Sequence, residues 1–336
     1  PFSPPPVLQR PQQVEANASA VAAGWGHTCA VLDVLDATTS TARLGVLKCF
    51  GNNFFGQLGL GDLLVLISTQ MGDALPPVPL GTGRRAVAVA TGALHTCALL
   101  DNGDIKCFGL NAAGQLGLGD TNDRGGGPGE MGDALPPVQL GSGRRAVAIA
   151  AGGLHTCALL DDGDVKCFGM NMGGQLGQGD TDARGDGPGE MGDALPPVPF
   201  GTGRRAVAIA AGGLHTCVLL DDGVLKCFGS NDNGQLGQED TNSRGDQPGE
   251  MGDALPAVAL GTGRRAVAIA AGYGHTCALL DNGDVKCFGL NDNGQLGQGY
   301  NNARGDAPGE LGDALPPVPL GAGRRAVAIS AGGNHT

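Results

Sequence analysis

Apolar residues in this chain come in short runs, and each run stops at a cluster of Gly, Asn or Asp. In PPVPFGTGRRAVAIAAGGLHTCVLLDDGVLKCFGSNDNGQLGQ, residues 196–238, the runs fall at intervals of roughly 8 to 12 residues, the spacing of short strands joined by tight turns. The pattern predicts strands at 197–200, 206–211, 215–220 and 225–229. In the second of these, Val207 and Ile209 alternate with alanines, which suits close approach of neighbouring sheets near a crowded axis. Helical periodicity is found nowhere along the chain.

The unit recurs. His-Thr-Cys begins at His27, His95, His155, His215 and His275, and His335-Thr336 opens a further copy. The interval is 68 residues between the first and second copies, because the hairpin after Cys29 is ten residues longer and the loop LLVLISTQ two shorter, and 60 thereafter. Four short strands per unit, repeated in series, predict an all-β fold, a β-propeller of four-stranded blades. Strand sets opening at Pro6, Pro77, Pro137, Pro197, Ala257 and Pro317 divide the chain into a Pro-rich lead, 1–6, and a propeller, 7–336. Its blades lie at about 7–70, 76–130, 136–190, 196–250 and 256–310, five complete, with the start of a sixth at 316–336.

In HTCALLDNGDVKC, residues 275–287, two cysteines flank the turn, and cross-strand partners must face the same side of a hairpin. A two-residue Asn282-Gly283 turn would pair Ala278 with Cys287. A three-residue loop, Asp281-Asn282-Gly283 with Gly in the left-handed position, pairs Cys277 with Cys287. Opposed residues lie about 4.5 to 5.5 Å apart at Cα, a separation a disulfide accepts. We therefore expect Cys277 with Cys287, Cys97 with Cys107, Cys157 with Cys167 and Cys217 with Cys227, and Cys29 with Cys49 across the enlarged first hairpin. Two other arrangements compete: free buried thiols, and a zinc site from His275, Cys277 and Cys287, for which no fourth ligand is apparent. Ten cysteines in local pairs imply an oxidising compartment, hence an extracellular or cell-surface protein.

The unit AGxxHTCALLxxGxVKCFGxNxxGQLGxGD resembles the regulator of chromosome condensation repeat, and the likeness runs from about Val7 onward. It implies a propeller of commonly seven four-stranded blades, in which Phe50, Phe108, Phe168, Phe228 and Phe288 fill the core between blades. Seven blades of this period need about 420 residues, so we expect seven in the intact protein, with a natural chain continuing past Thr336 as the favoured reading and closure of the ring by another element as the alternative. The absence of an initiator Met likewise reads as a mature or partial chain. Members of the family are known for nucleotide exchange on a nuclear small GTPase and for chromatin binding; a photoreceptor branch depends on clustered tryptophans, and secreted members grip other proteins with their rim loops.

Composition and charge weigh between these branches. With 62 Gly, 21 Pro and an apolar fraction of 41%, the chain is loop-rich yet able to pack a core. Net charge is −12 and there is no basic arm, which argues against nucleic acid as a partner. Trp25 stands alone, which argues against photoreception. Apolar runs such as 266–272 are too short to span a bilayer, and the start does not resemble a signal peptide. The expectation is a non-enzymatic extracellular binding module or structural scaffold within a larger surface or matrix assembly, its partners other proteins. Exchange or regulation of a small GTPase is the alternative.

Two loops vary between copies while the strands scarcely do, which at the least marks them as unnecessary for packing. One holds Ala112 and Ala113, Met172 and Gly173, Asp232 and Asn233, and Asp292 and Asn293. The other carries Asp123 and Arg124, Asp182 and Arg184, Asn242 and Arg244, and Asn302 and Arg304. Arg-Gly-Asp recurs at 184–186, 244–246 and 304–306, an adhesion signal if presented and a product of repeat copying if not. Arginine pairs at 84–85, 144–145, 204–205, 264–265 and 324–325 suit an anion or acidic glycan only weakly, and we expect them to pair with carboxylates such as Glu190 and Asp193. TNDRGGGPGE lacks the alternating ligands of a calcium loop, so neither metal nor cofactor is expected. His95, His155, His215 and His275 recur without an accompanying acid or nucleophile and read as structural, with no catalytic residues. Asn17 and Asn334 begin glycosylation sequons.

Overall fold

The computed structural model describes residues 17–35, 42–64 and 71–336. The Pro-rich lead and the tip of the enlarged first hairpin lie outside them. Among the described residues, fifteen strands form five antiparallel sheets of three, each in sequence order. They are β1 Asn17–Ala23, β2 His27–Leu35 and β3 Ala42–Gly51; β4 Ala86–Thr91, β5 His95–Leu100 and β6 Ile105–Gly109; β7 Ala146–Ala151, β8 His155–Leu160 and β9 Val165–Gly169; β10 Ala206–Ala211, β11 His215–Leu220 and β12 Leu225–Gly229; β13 Ala266–Ala271, β14 His275–Leu280 and β15 Val285–Gly289. The Ala-rich strands β1, β4, β7, β10 and β13 stand side by side around the axis. This is the all-β propeller that the repeat predicts.

The fourth strand is corrected. The 196–200 segment does not open the sheet of β10; it flanks β9 of the preceding sheet, where the Val198 amide donates to Val165 O at 2.8 Å. Pro196, two residues before Val198 and repeated as Pro76, Pro136, Pro256 and Pro316, has no N–H for the preceding rung, so the contact stops at one bond and the blade stays three-stranded. Val78, Val138, Val258 and Val318 make the same single contact to the sheet before them.

The hairpins follow the register that the cysteines require. Cys277 pairs with Cys287 and Leu279 with Val285, leaving the loop 281–283, in which Gly283 has φ 83°. All ten cysteines are joined in the five expected pairs, each with Cα atoms 4.1 Å apart.

Apolar clusters sit between successive blades rather than within one. Phe108, Phe168, Phe228 and Phe288 are fully buried there, and Phe50 half-buried. Each of the four fully buried rings lies on a glycine of the preceding unit: a Cβ at Gly117 would stand 2.7 Å from Phe168 Cε2. Polar clamps cross the same boundaries. Thr216 Oγ1 donates to Gln175 O at 2.9 Å, so its lone pair must accept from His155 Nε2, also 2.9 Å away, which fixes that proton on Nε2. The same relation joins His27 to Thr96, His95 to Thr156, His215 to Thr276 and His275 to Thr336. Burial pushes the imidazoles of His95, His155 and His215 down to about 3.

Candidate protein-interaction rim

The two ends of the propeller differ. The hairpin-turn end carries the arginine pairs, and their partners are the turn aspartates rather than Glu190 or Asp193. Arg84 and Arg85 reach Asp101 at 3.6 and 3.3 Å, Arg144 reaches Asp161 and Asp162, Arg204 reaches Asp222, and Arg264 reaches Asp281 at 3.2 Å. Asp193 instead accepts from the Ser142 amide and hydroxyl at 2.8 and 2.6 Å, which hold its carboxyl below the usual range. Arg84, Arg85, Arg144, Arg204 and Arg264, half of the ten, are thus engaged within the rim, which weakens the case for an anion ring there.

Both variable loops lie at the opposite end, beside the turns that lead into β2, β5, β8, β11 and β14. Asn111 builds the first: its amide donates to Asp120 O at 2.7 Å and its oxygen accepts from the Leu116 amide at 3.0 Å. Gln115 Oε1 accepts from the Ala113 amide at 2.9 Å, and Gln175, Gln235 and Gln295 repeat this with Gly173, Asn233 and Asn293. Those second positions are thus tied by their backbone. The first positions, Ala112, Met172, Asp232 and Asp292, project into solvent.

In the second loop the arginines are held. Arg124, Arg184 and Arg244 each meet Asp120, Asp180 and Asp240 at 2.7 Å, and Arg304 lies over the Tyr300 ring and reaches Glu310 at 3.2 Å. Asp123, Asp182, Asn242 and Asn302 are the exposed members, although Asp123 also accepts from the Asn111 amide. The Arg-Gly-Asp tripeptides are folded in: Gly185, Gly245 and Gly305 are buried, and burial beside Glu190 pushes the Asp186 carboxyl up. Of the sequons, Asn334 is exposed while its Thr336 takes the His275 hydrogen bond; the side chain of Asn17 lies outside the described residues.

At the centre of this end opens an axial well of about 340 Å³, lined by the inner strands and the turns that follow them. Trp25 and Tyr273 stand at its mouth with ring centroids 5.5 Å apart. They occupy the same turn position in different blades, where the other copies have Ala93, Gly153, Gly213 and Gly333. Comparison of the loops alone missed this pair. Aligning the turn before each His would have found it.

Residues 45–99, 102–159, 162–219, 222–279 and 282–336 each match the regulator of chromosome condensation (RCC1) repeat. The chain belongs to this family. Among RCC1-repeat proteins it is 31% identical to the ultraviolet-B receptor UVR8 of Arabidopsis thaliana over 76% of its length, and 30% identical to the regulator of chromosome condensation of Xenopus laevis over 75%. It spans 51% and 56% of those two relatives, about half of each. The crystal structure of Prp20p from Saccharomyces cerevisiae, described with its binding to Gsp1p and histones, superposes with TM-score 0.68 at 19% identity, covering 95% of this chain and 67% of that one. At that identity the likeness shows the shared propeller fold.

Proposed function

We propose that this RCC1-repeat chain is a non-enzymatic, extracellular protein-binding scaffold that uses the variable-loop end of the propeller. The observation that carries the reading is that all ten cysteines are spent on five disulfides, each stapling one blade's hairpin. Such bonds persist in oxidising surroundings and are reduced in cytosol and nucleus. Exposed, copy-to-copy variable side chains on a rigid frame, with the packing done by the invariant strands, are the arrangement of a binding rim. The net charge of −12 favours basic protein partners and disfavours nucleic acid.

The test is the thiol state of the protein made by its natural source. Alkylation before and after reduction, read by intact mass, should label no cysteine until the reductant is added. Ten labelled thiols in the native protein would overturn the extracellular reading. The competing activity would then be measured directly, as release of a fluorescent guanine nucleotide from a small GTPase.

A further inference from the structure

We propose that the mouth of the axial well docks a basic segment of another protein, with the packed pair Trp25 and Tyr273 as the platform for one apolar side chain. The inference rests on the protein-binding reading above and gives that reading a place and a chemistry.

Three features converge on the mouth. First, it breaks the repeat: two of the turn positions carry aromatic rings that remain 62% and 44% exposed, where the other copies have alanine or glycine. Gly213 makes room for one of them, since a Cβ there would stand 2.6 Å from Tyr273 Cδ2. Aromatic side chains that are large, rigid and left half-wet on a protein frame are the usual anchors of binding energy. Second, the well beneath them, walled by Val89, Ile269, Ala150 and Ala210 and by the backbone of the glycine turns, mixes apolar side chains with polar backbone and is large enough to take the end of a side chain.

Third, the loops around the mouth grade from apolar to acidic. The Asn52 amide donates to Gly26 O at 2.8 Å, so the loop with Phe54, 65% exposed, borders the Trp25 turn. On the other side a Cβ at Gly274 would lie 3.7 Å from Asn233 Nδ2, so the Asp232 loop borders the Tyr273 turn. Asp292 projects from the next copy. Arg124, Arg184 and Arg244 are engaged by carboxylates within their own loops, which leaves the exposed aspartates to set the local sign. A second copy would bring a net charge of −12 against this surface, whereas a cationic segment complements it.

Trp25 is the sole tryptophan, so its fluorescence reports on the mouth alone. The probe is a short peptide of Lys and Arg with one central Phe. Its titration should shift Trp25 emission to the blue, protect it from acrylamide and saturate. Tyr273→Ala, at an exposed position, should weaken binding by about tenfold or more, as should Phe to Ala in the peptide. Asp232→Asn with Asp292→Asn should weaken it and flatten its salt dependence. Unmoved emission at peptide saturation measured by calorimetry, or full affinity in Tyr273→Ala, would overturn the mouth while the wider rim reading stands. No binding of the peptide by either readout also overturns it, as does a blue shift on raising protein concentration alone with a dimer in sedimentation. Free thiols in the native protein would sink the parent reading instead.

Discussion

His155 Nε2 and Thr216 Oγ1 meet at 2.9 Å across a blade boundary, and the same hydroxyl donates to Gln175 O in the earlier blade. One buried hydroxyl therefore joins two blades. Thr216→Val keeps the shape, removes the acceptor and leaves two buried groups unpaired, so it should cost about 2 to 4 kcal/mol. Thr216→Ser should lose well under half of that. Equal losses in urea denaturation would show that the methyl group, not the hydroxyl, matters.

These clamps also set an acid limit. Burial holds His95, His155 and His215 near 3, against 6.5 for an exposed imidazole. The folded state thus binds fewer protons than the unfolded chain between those values, so stability is full above about pH 6.5 and declines as pH falls towards 3. Melting temperature should drop steadily over that window, and His155→Gln should make the slope shallower while lowering the neutral-pH value. A melting temperature flat from pH 6.5 to 4 would contradict buried neutral histidines.

Glycines of similar conformation should differ in cost. Gly177 has φ 66° and a Cβ there would stand 2.8 Å from Phe228 Cε2, whereas Gly143, φ 70°, has nothing within 4 Å. Gly143→Ala should cost only the left-handed backbone penalty, about 1 kcal/mol. Gly177→Ala should cost about 3 kcal/mol, because the phenylalanine must move as well. Similar denaturation midpoints for the two variants would refute packing of Phe228 on Gly177.

Removing one staple should be survivable. Cys157→Ala with Cys167→Ala opens a loop closed by a sequence separation of 10 and should cost about 2 to 3 kcal/mol. Hydrogen exchange should quicken in β8 and β9 before it changes in blades beyond their neighbours, in keeping with contacts made only between adjacent repeats. Uniform loss of protection throughout the chain would oppose that view.

Much of this fold is legible in the chain because its decisive contacts are local. The bounds 206–211, 215–220 and 225–229 come out as β10, β11 and β12 without adjustment, and the cysteines alone select the loop 281–283. The expected fourth strand failed on Pro196 and its copies, whose missing donors outweigh an extended shape. The partners of the arginine pairs were misplaced because Asp101 meets Arg84 and Arg85 through sheet pairing, while Asp193 looked closer only in the count of residues. Trp25 and Tyr273 were missed for a deeper reason. Aligned turns show both residues departing from the repeat, but no local pattern reports that the first and fifth blades bring these two rings within 5.5 Å of each other.

The clamp from each His to the Thr of the next unit always points the same way along the chain, and every joint uses the same atoms. Exchange of a whole period at any joint recreates the chemistry that was there before. Replacement of one unit by another therefore meets little physical resistance at its joints, and the exposed turns of such an array are free to diverge one by one.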